Sequence, residues 1–524
     1  MKEINNNLHN ACEEKFEVGA ISKFVKNLFK TKNPDEMIEN ANKGGLEKTL
    51  GAFDLIILGV GAIIGSGIFT VVGIAAAGSP ESAGAGPALV ISMILASLAC
   101  VFSAMCYSEF ASMIPAAGSA YLYTYATMGE FLAWIVGWVL MLEYLVGYIA
   151  VVNAWTGYLI QFLKGFPFLP TFITNPPVWL INDYGSAVNL LSKQGLDAAS
   201  VIPSIAGIPI CFNLPAIIIT FFMAAILIKG IKESTNMAGI MVIIKLAVIA
   251  LFVFTGAFYV KPENWVPFAP NGFEGIFMGA FIIFFAYIGF DAIATAAEET
   301  KNPQKNLPIG IIGSLAVCTI VYVLVGLVLT GMVPINQIDT HAPIAHAMRL
   351  AGQDWVAGLI SLGALTGLTS VLLVLMLAST RILFAMSRDN YLPSILKSVH
   401  KKYKTPHIIT VLTALICMLG TLFLNISTAA ELCNFGTFTS FIIVCIAVLI
   451  LRKTDPNRKR PFKVPFSPLF PILGVVCCGG LMIYSMQFLT TSRVLFPLWL
   501  ALGVLIYFSY SYKKQRKFTY FSKT

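Results

Sequence analysis

Charge is scarce in this chain: Asp, Glu, Lys and Arg supply 12% of its 524 residues, while apolar types supply 57% and mean hydropathy is +0.79. A soluble domain carries about a quarter of its residues as charges, so water is excluded as the main solvent. The ten cysteines include no C-x-x-C pair, and only Cys477 and Cys478 are adjacent, so neither a disulfide framework nor a zinc site is suggested. His341 and His346 stand five residues apart, a poor helical spacing for a shared metal face, and no metal is expected. G-x-S-x-G, H-E-x-x-H and a Walker loop are all missing, which argues against a hydrolase, a zinc peptidase and ATP-driven work. Neither an enzyme nor a bound cofactor is expected. The first fifty residues lack a short apolar core with a small-residue cleavage site, so no cleavable leader is expected there. Residues 1–52 read as a terminal segment that forms either a surface helix near Phe16 to Phe29, with Val18, Ile21, Val25 and Leu28 on one face, or disordered chain.

Long apolar runs are what the chain does have. Runs of roughly twenty residues suffice to cross a ~30 Å hydrocarbon core. They fall at 53–77, 86–114, 129–163, 204–228, 233–259 and 273–299, then at 308–332, 355–385, 406–424, 428–451, 469–489 and 494–512. The expectation is an all-α membrane protein of twelve transmembrane helices, surrounded by lipid, with a basic tail at 513–524. Lys and Arg concentrate before the first run, from Arg381 to Lys404, from Arg452 to Lys463 and after Lys513. Because basic flanks resist translocation, this places both termini in the cytoplasm. The net charge of +9 is then a topological signal, and no nucleic-acid partner is expected. The segment from 165 to 203, with Pro170, Pro176, Pro177 and Trp179, reads as a long outer loop.

The first run contains Gly59, Gly61, Gly65 and Gly67 around Ser66. Each glycine weakens a helix by about 1 kcal/mol relative to alanine, so the helix is expected to unwind at Gly65-Ser66-Gly67. Irregular backbone at bilayer depth is tolerated only where it lines a cavity. Such a break presents carbonyls on one side and N–H groups with the positive helix end on the other, a pair that suits a zwitterionic amino acid. The same glycines would also suit close helix packing alone. A second interruption favours the break: Phe285-Ala286-Tyr287-Ile288-Gly289-Phe290-Asp291 places a glycine and a carboxylate inside the sixth run. Interrupted first and sixth helices running in opposite directions are the arrangement of an inverted five-helix repeat with its site at the interface. The repeats would occupy 53–259 and 273–451, with two extra helices at 469–512.

Several separate motifs then agree: Gly61 to Phe69, Tyr107-Ser108-Glu109-Phe110 leading to Pro115 through Tyr121, Phe285 to Asp291 followed by Glu298 through Pro303, and Arg381 with Phe384 to Asp389. Over roughly residues 48 to 512 the chain resembles the amino acid-polyamine-organocation superfamily, in particular its cationic amino acid transporter-like branch. Twelve helices are more similar to bacterial than to vertebrate members. The resemblance implies a five-plus-five inverted repeat and alternating access by a rocking bundle. It implies that a substrate carboxylate meets the N–H groups of Ser66 and Gly67 near Gly65, and that its ammonium meets the carbonyls of Ile63, Phe285, Ala286 and Ile288. Phe285 would close over the substrate, although an aromatic at this depth also suits plain packing.

Lys245 lies near the centre of the fifth run, where inserting a lysine costs roughly 2.5 to 3.5 kcal/mol, which makes it a candidate carrier of a coupled proton. The resemblance implies that such a lysine fills the place of sodium in sodium-driven relatives; the alternative is a structural ion pair with Asp291 or Glu143. Glu143 is the candidate partner of a cationic side chain or a structural carboxyl, whereas a bulky Leu368 would favour small neutral substrates. Glu109, Asp54, Glu298, Glu299 and Arg388 fit gate or capping contacts at helix ends. The resulting expectation is import of a neutral or cationic L-amino acid across the cell membrane by symport with protons. Amino acid exchange is the alternative, and a transporter-like sensor would use the same site.

Overall fold

Backbone amides in a bilayer have no water to bond to, so spanning segments satisfy them internally, and the chain is accordingly almost all helix. The computed structural model describes residues 28–42, 48, 50–79, 82–116, 118–166, 168–205, 208–229, 234–297, 300–403, 405–512 and 514. The expected surface helix before Leu28, Glu298 and Glu299, and the basic tail apart from Lys514, lie outside the described residues.

Among the described residues eight helices are long and apolar enough to cross a membrane. They include α4 (Leu89–Met113), α6 (Glu130–Leu163), α9 (Ser234–Ala257) and α10 (Gly272–Phe284) with the turns that follow it. The others are α12 (Pro303–Met332), α14 (Asp354–Arg388), α16 (Ile426–Thr454) and α18 (Ser492–Ile506). One more span is a bent pair, α2 (Ala52–Ile63) and Gly67–Ala77, whose last six residues form α3 (Val72–Ala77). Shorter apolar helices are α8 (Leu214–Lys229), α15 (His407–Gly420) and α17 (Leu469–Ser485). A helix α1 (Pro34–Asn42) precedes the bundle, α5 (Ser119–Thr127) joins α4 to α6, α7 (Tyr184–Lys193) lies in the long loop, and α13 (Pro343–Leu350) precedes α14.

Burial separates pillars from perimeter. The apolar window of α6 is 94% buried by protein, whereas those of α9 and α18 are 28% and 22% buried and leave most of their surface to lipid. Helix α6 therefore stands at the centre, where one face can line a cavity while the others pack. Trp138 of α6 and Trp499 of α18 exchange indole N–H bonds to each other's carbonyl oxygens, at 2.8 and 3.2 Å, fastening the perimeter to the pillar.

Three segments differ from the boundaries expected from hydropathy. Helix α8 begins at Leu214 rather than near 204, because Ser204–Ile205 pairs with Ile208–Pro209 in a short antiparallel ladder and the Asn213 side chain accepts from Ala216 N–H at 3.1 Å. The loop at 165–203 folds on itself: Ala187 and Leu191 of α7 bury against Ile202, beside Trp179. Helix α5 occupies the gap expected between the second and third runs.

The basic loops gather at one end of the bundle. There Glu109, at the end of α4 and buried, accepts from Arg452 at 2.5 Å and from the Val464 N–H at 2.7 Å, with the Arg460 guanidinium 3.4 Å away. Asp35 of α1 pairs with Arg458 at 2.7 Å, Lys32 reaches Asp389 at 3.4 Å, and Leu28 and Met37 are buried. Asp54 caps α2 by accepting from the Gly51 N–H at 2.8 Å.

Candidate functional site

Two helices are interrupted at the same depth in the bundle. After Ile63 the chain leaves the α conformation at Ile64, with ψ 98°, turns through Gly65 and Ser66, and resumes as a π-helical stretch over Gly67–Val71; the two halves meet at 44°. Helix α10 ends at Phe284, tightens into a 3-10 turn over Phe285–Tyr287 and extends at Ile288, with ψ 140°. Gly289 then takes φ +121°, which glycine alone adopts without strain, before the single turn α11 (Ala292–Thr295). The breaks touch: a Cβ on Gly67 would stand 2.3 Å from Ala286 Cα and 2.4 Å from its Cβ.

Beside this crossing lies a cavity of about 560 Å³, counting its mouth. Its floor is the broken backbone, Ile63, Gly65, Ser66 and Gly67 from one interruption and Phe285, Ile288 and Gly289 from the other. Glu143, Gly147 and Val151 of α6 form one wall, Val371, Val374, Leu375 and Ala378 of α14 the adjoining wall, and Cys433 of α16 a third side. The N–H groups that open a helix have no partner four residues back, so those of Ser66 and Gly67 present donors, while the ends of α2 and α10 present carbonyls.

Tyr322 of α12 joins the two breaks. Its buried hydroxyl lies 3.0 Å from the Ile63 carbonyl oxygen and 2.7 Å from that of Ala286. A hydroxyl has one proton to give, so it satisfies one of these acceptors at a time. Lys245 sits behind the first break: its ammonium, wholly buried, donates to the Gly61 carbonyl at 2.5 Å and to that of Ile64 at 2.7 Å. The cation thus occupies the exposed carbonyl end of α2, where the helix dipole is negative.

Asp291 stands apart from Lys245. It accepts from the Tyr144 hydroxyl at 2.8 Å and lies within electrostatic range of Glu143. Both carboxylate oxygens of Glu143 are buried without a hydrogen-bond partner among the described residues, as are Asp291 Oδ1 and Ser66 Oγ. The cavity wall therefore carries a buried carboxyl group facing the broken backbone. Leu368 is buried in α14 one turn before Val371 and does not line the cavity, nor does Ala286, whose carbonyl turns to Tyr322. Gly147, Val151, Val371, Val374, Leu375, Ala378, Cys433 and Tyr322 are the site residues that sequence reasoning did not single out. Of these, only Gly147, a glycine within a long apolar helix, carried a local signal.

At the opposite end from the basic loops, the Tyr158 hydroxyl donates to the Phe69 carbonyl at 2.5 Å and the Thr70 hydroxyl to the His341 carbonyl at 3.2 Å. These contacts tie the second half of the bent pair to α6 and to the segment leading into α13. Arg349 of α13 bonds in turn to the Gln161 side chain and to its carbonyl. Among the described residues no group of three His, Cys, Asp or Glu side chains could hold a metal ion.

Membrane-length helices packed around a cavity, with unwound backbone as its floor, are the architecture of an integral membrane protein that binds a solute within the bundle. Residues 50–509 match the amino acid permease family model, and the chain belongs to that family of transporters rather than to any class of enzyme. Among its relatives is the methylthioribose transporter of Bacillus subtilis (strain 168), 44% identical over 490 residues, which cover 93% of this chain and 99% of that protein. The branched-chain amino acid permease BcaP of the same organism is 43% identical over 493 residues, covering 93% and 98%. A chloroplastic cationic amino acid transporter 9 of Arabidopsis thaliana is 37% identical over 424 residues, covering 81% and 70%.

Proposed function

We propose that this protein imports an L-amino acid across the cell membrane by symport with a proton, through alternating access. The observation that carries the reading is the pairing of two broken helices over a cavity with Lys245 bonded to the carbonyl end of the first. Opposite backbone charges side by side match a zwitterion: the carboxylate meets the Ser66 and Gly67 N–H groups, and the ammonium meets the carbonyls of Ile63, Phe285 and Ile288. The Tyr322 hydroxyl donates to the Ile63 or the Ala286 carbonyl when no ammonium is there, and keeps to Ala286 when an ammonium takes Ile63. Phe285, at the cavity edge, closes over the substrate. Lys245, in its protonated form, ties α9 to the carbonyl end of α2; loss of that proton frees the first break to rearrange, and Asp291 takes part in passing it on.

The long helices and the bent pair, with the three shorter apolar helices counted as spans, support a reading of twelve spans in a five-plus-five inverted repeat over 53–259 and 273–451, with two further helices at 469–512. The clustering of Lys and Arg at one end supports cytoplasmic termini and a plasma or inner membrane location. The relatives named for branched-chain and cationic amino acids support an amino acid substrate. The relative named for methylthioribose favours a second reading, a neutral polar solute without a carboxylate. Substrate-induced thermal stabilisation of the purified protein separates the two. Stereoselective stabilisation by an L-amino acid supports the first, and a response to methylthioribose but to no amino acid supports the second. Exchange without proton coupling is the remaining mechanistic alternative, and a gradient experiment decides it.

A further inference from the structure

We propose that Gly147 sets the size of the recess that receives the substrate's side chain, and that this recess admits a branched aliphatic group. The inference rests on the amino acid reading above and goes beyond it by assigning the specificity-determining position. Glu143, Gly147 and Val151 follow one another at four-residue spacing and so line a single stripe of α6. Val371, Val374, Leu375 and Ala378 recur at three- and four-residue spacing and line the facing stripe of α14. At the height of Gly147 the two stripes are bridged by Cys433. A Cβ placed on Gly147 would stand 3.3 Å from Cys433 Sγ and 3.9 Å from Leu375 Cδ1.

The first of those distances is tighter than ordinary contact, and the thiol has little room to withdraw, because Cys433 is buried and its Sγ donates to the Glu143 carbonyl at 3.3 Å. Any side chain at position 147 therefore takes its room from the cavity. Glycine weakens a helix interior, yet α6 carries it on the stripe where a side chain would project between Cys433 and Leu375. Apart from Glu143 one turn away, the surrounding surface is aliphatic and itself branched, from Val151, Val371, Val374 and Leu375, which matches a leucine- or valine-like group.

The test is the ratio of dissociation constants for leucine and alanine, with arginine alongside, on the purified native chain and on Gly147→Ala. Filling the recess by one methyl is expected to weaken leucine by roughly tenfold or more relative to alanine, the usual discrimination for one methylene in an apolar pocket. Leu375→Ala, which cuts back the adjoining wall, is expected to return the ratio in the Gly147→Ala background to within about threefold of native. A residue needed only for folding would not be rescued in that way. An unchanged leucine-to-alanine ratio in Gly147→Ala overturns the inference, and a native chain that prefers arginine overturns the branched aliphatic assignment. If Gly147→Ala does not fold, Leu375→Ala alone must shift preference toward phenylalanine, and no shift also overturns it. A native chain that binds no amino acid sinks the functional reading itself, which is a different result from intact binding with unchanged selectivity.

Discussion

Gly67 and Gly65 stand two residues apart at the same break, yet their substitution by alanine should differ sharply. A methyl on Gly67 would lie 2.3 Å from Ala286 Cα and 3.1 Å from its backbone nitrogen. Carbon atoms pack at about 3.5–4.0 Å, so the two interrupted helices would have to part by more than about 1 Å. The obstacle is backbone and cannot rotate away. The nearest atoms to a methyl on Gly65 belong to the Val371 side chain, at 3.1 Å, which can adjust by a few tenths of an ångström. Overpacking of a filled interior costs about 1–3 kcal/mol, and a backbone obstacle places Gly67→Ala at the upper end. Spent on binding, 3 kcal/mol corresponds to roughly a hundredfold loss of affinity, whereas Gly65→Ala should lose about tenfold or less. Dissociation constants and unfolding temperatures of both variants in detergent would read this directly. Native-like binding by Gly67→Ala, or a larger loss in Gly65→Ala, would refute the claim that the two breaks meet in contact.

Other consequences follow from single side chains. Glu109→Gln leaves Arg460 and Arg452 facing a neutral amide at a buried position, and should cost about 3 kcal/mol of stability, seen as a lower unfolding temperature; an unchanged temperature counts against this network as a lock. Tyr322→Phe strips a donor from the Ile63 and Ala286 carbonyls, at about 1–3 kcal/mol for a buried acceptor left bare. Because a bound ammonium would replace that donor, substrate should stabilise Tyr322→Phe against heat by more than it stabilises the native chain, and an equal or smaller shift rejects the arrangement. Glu143→Gln replaces the buried carboxyl on the cavity wall with an amide. Competition binding should then show arginine and lysine weakened by roughly tenfold relative to leucine, as for loss of one charge-assisted bond; equal losses for all three would deny Glu143 a part in selectivity.

The interruptions were legible because their signal is carried by backbone: Gly65, Gly67 and Gly289 are the residues a sharp departure from helix requires, and the structure bends or extends the chain beside each of them. Lys245 and Glu143 were legible because a charge inside an apolar run is expensive. The cavity walls were not. Helices α6 and α14 are apolar on every side, so nothing in their composition separates the face that lines a cavity from the faces that pack. Leu368 was therefore one turn away from Val371, the nearest residue of α14 that lines the cavity. The partners of Asp291 were equally hidden, since Tyr144 reaches it from a helix far away in sequence. Helices α5, α7 and α13 went unread because each is too short for a membrane-length window, and α8 starts late because a capping asparagine outweighs the apolar residues before it.

The central claim is that Lys245, bonded to Gly61 and Ile64, couples a proton to amino acid movement. Uptake of labelled leucine and arginine into proteoliposomes, with and without an inward proton gradient, for the native chain and Lys245→Ala, tests it most directly. The account expects the gradient alone to drive accumulation by the native chain, and expects Lys245→Ala to bind substrate but to lose gradient-driven accumulation. Uptake that requires preloaded internal amino acid and ignores the gradient, in both proteins alike, would contradict symport and make this protein an exchanger.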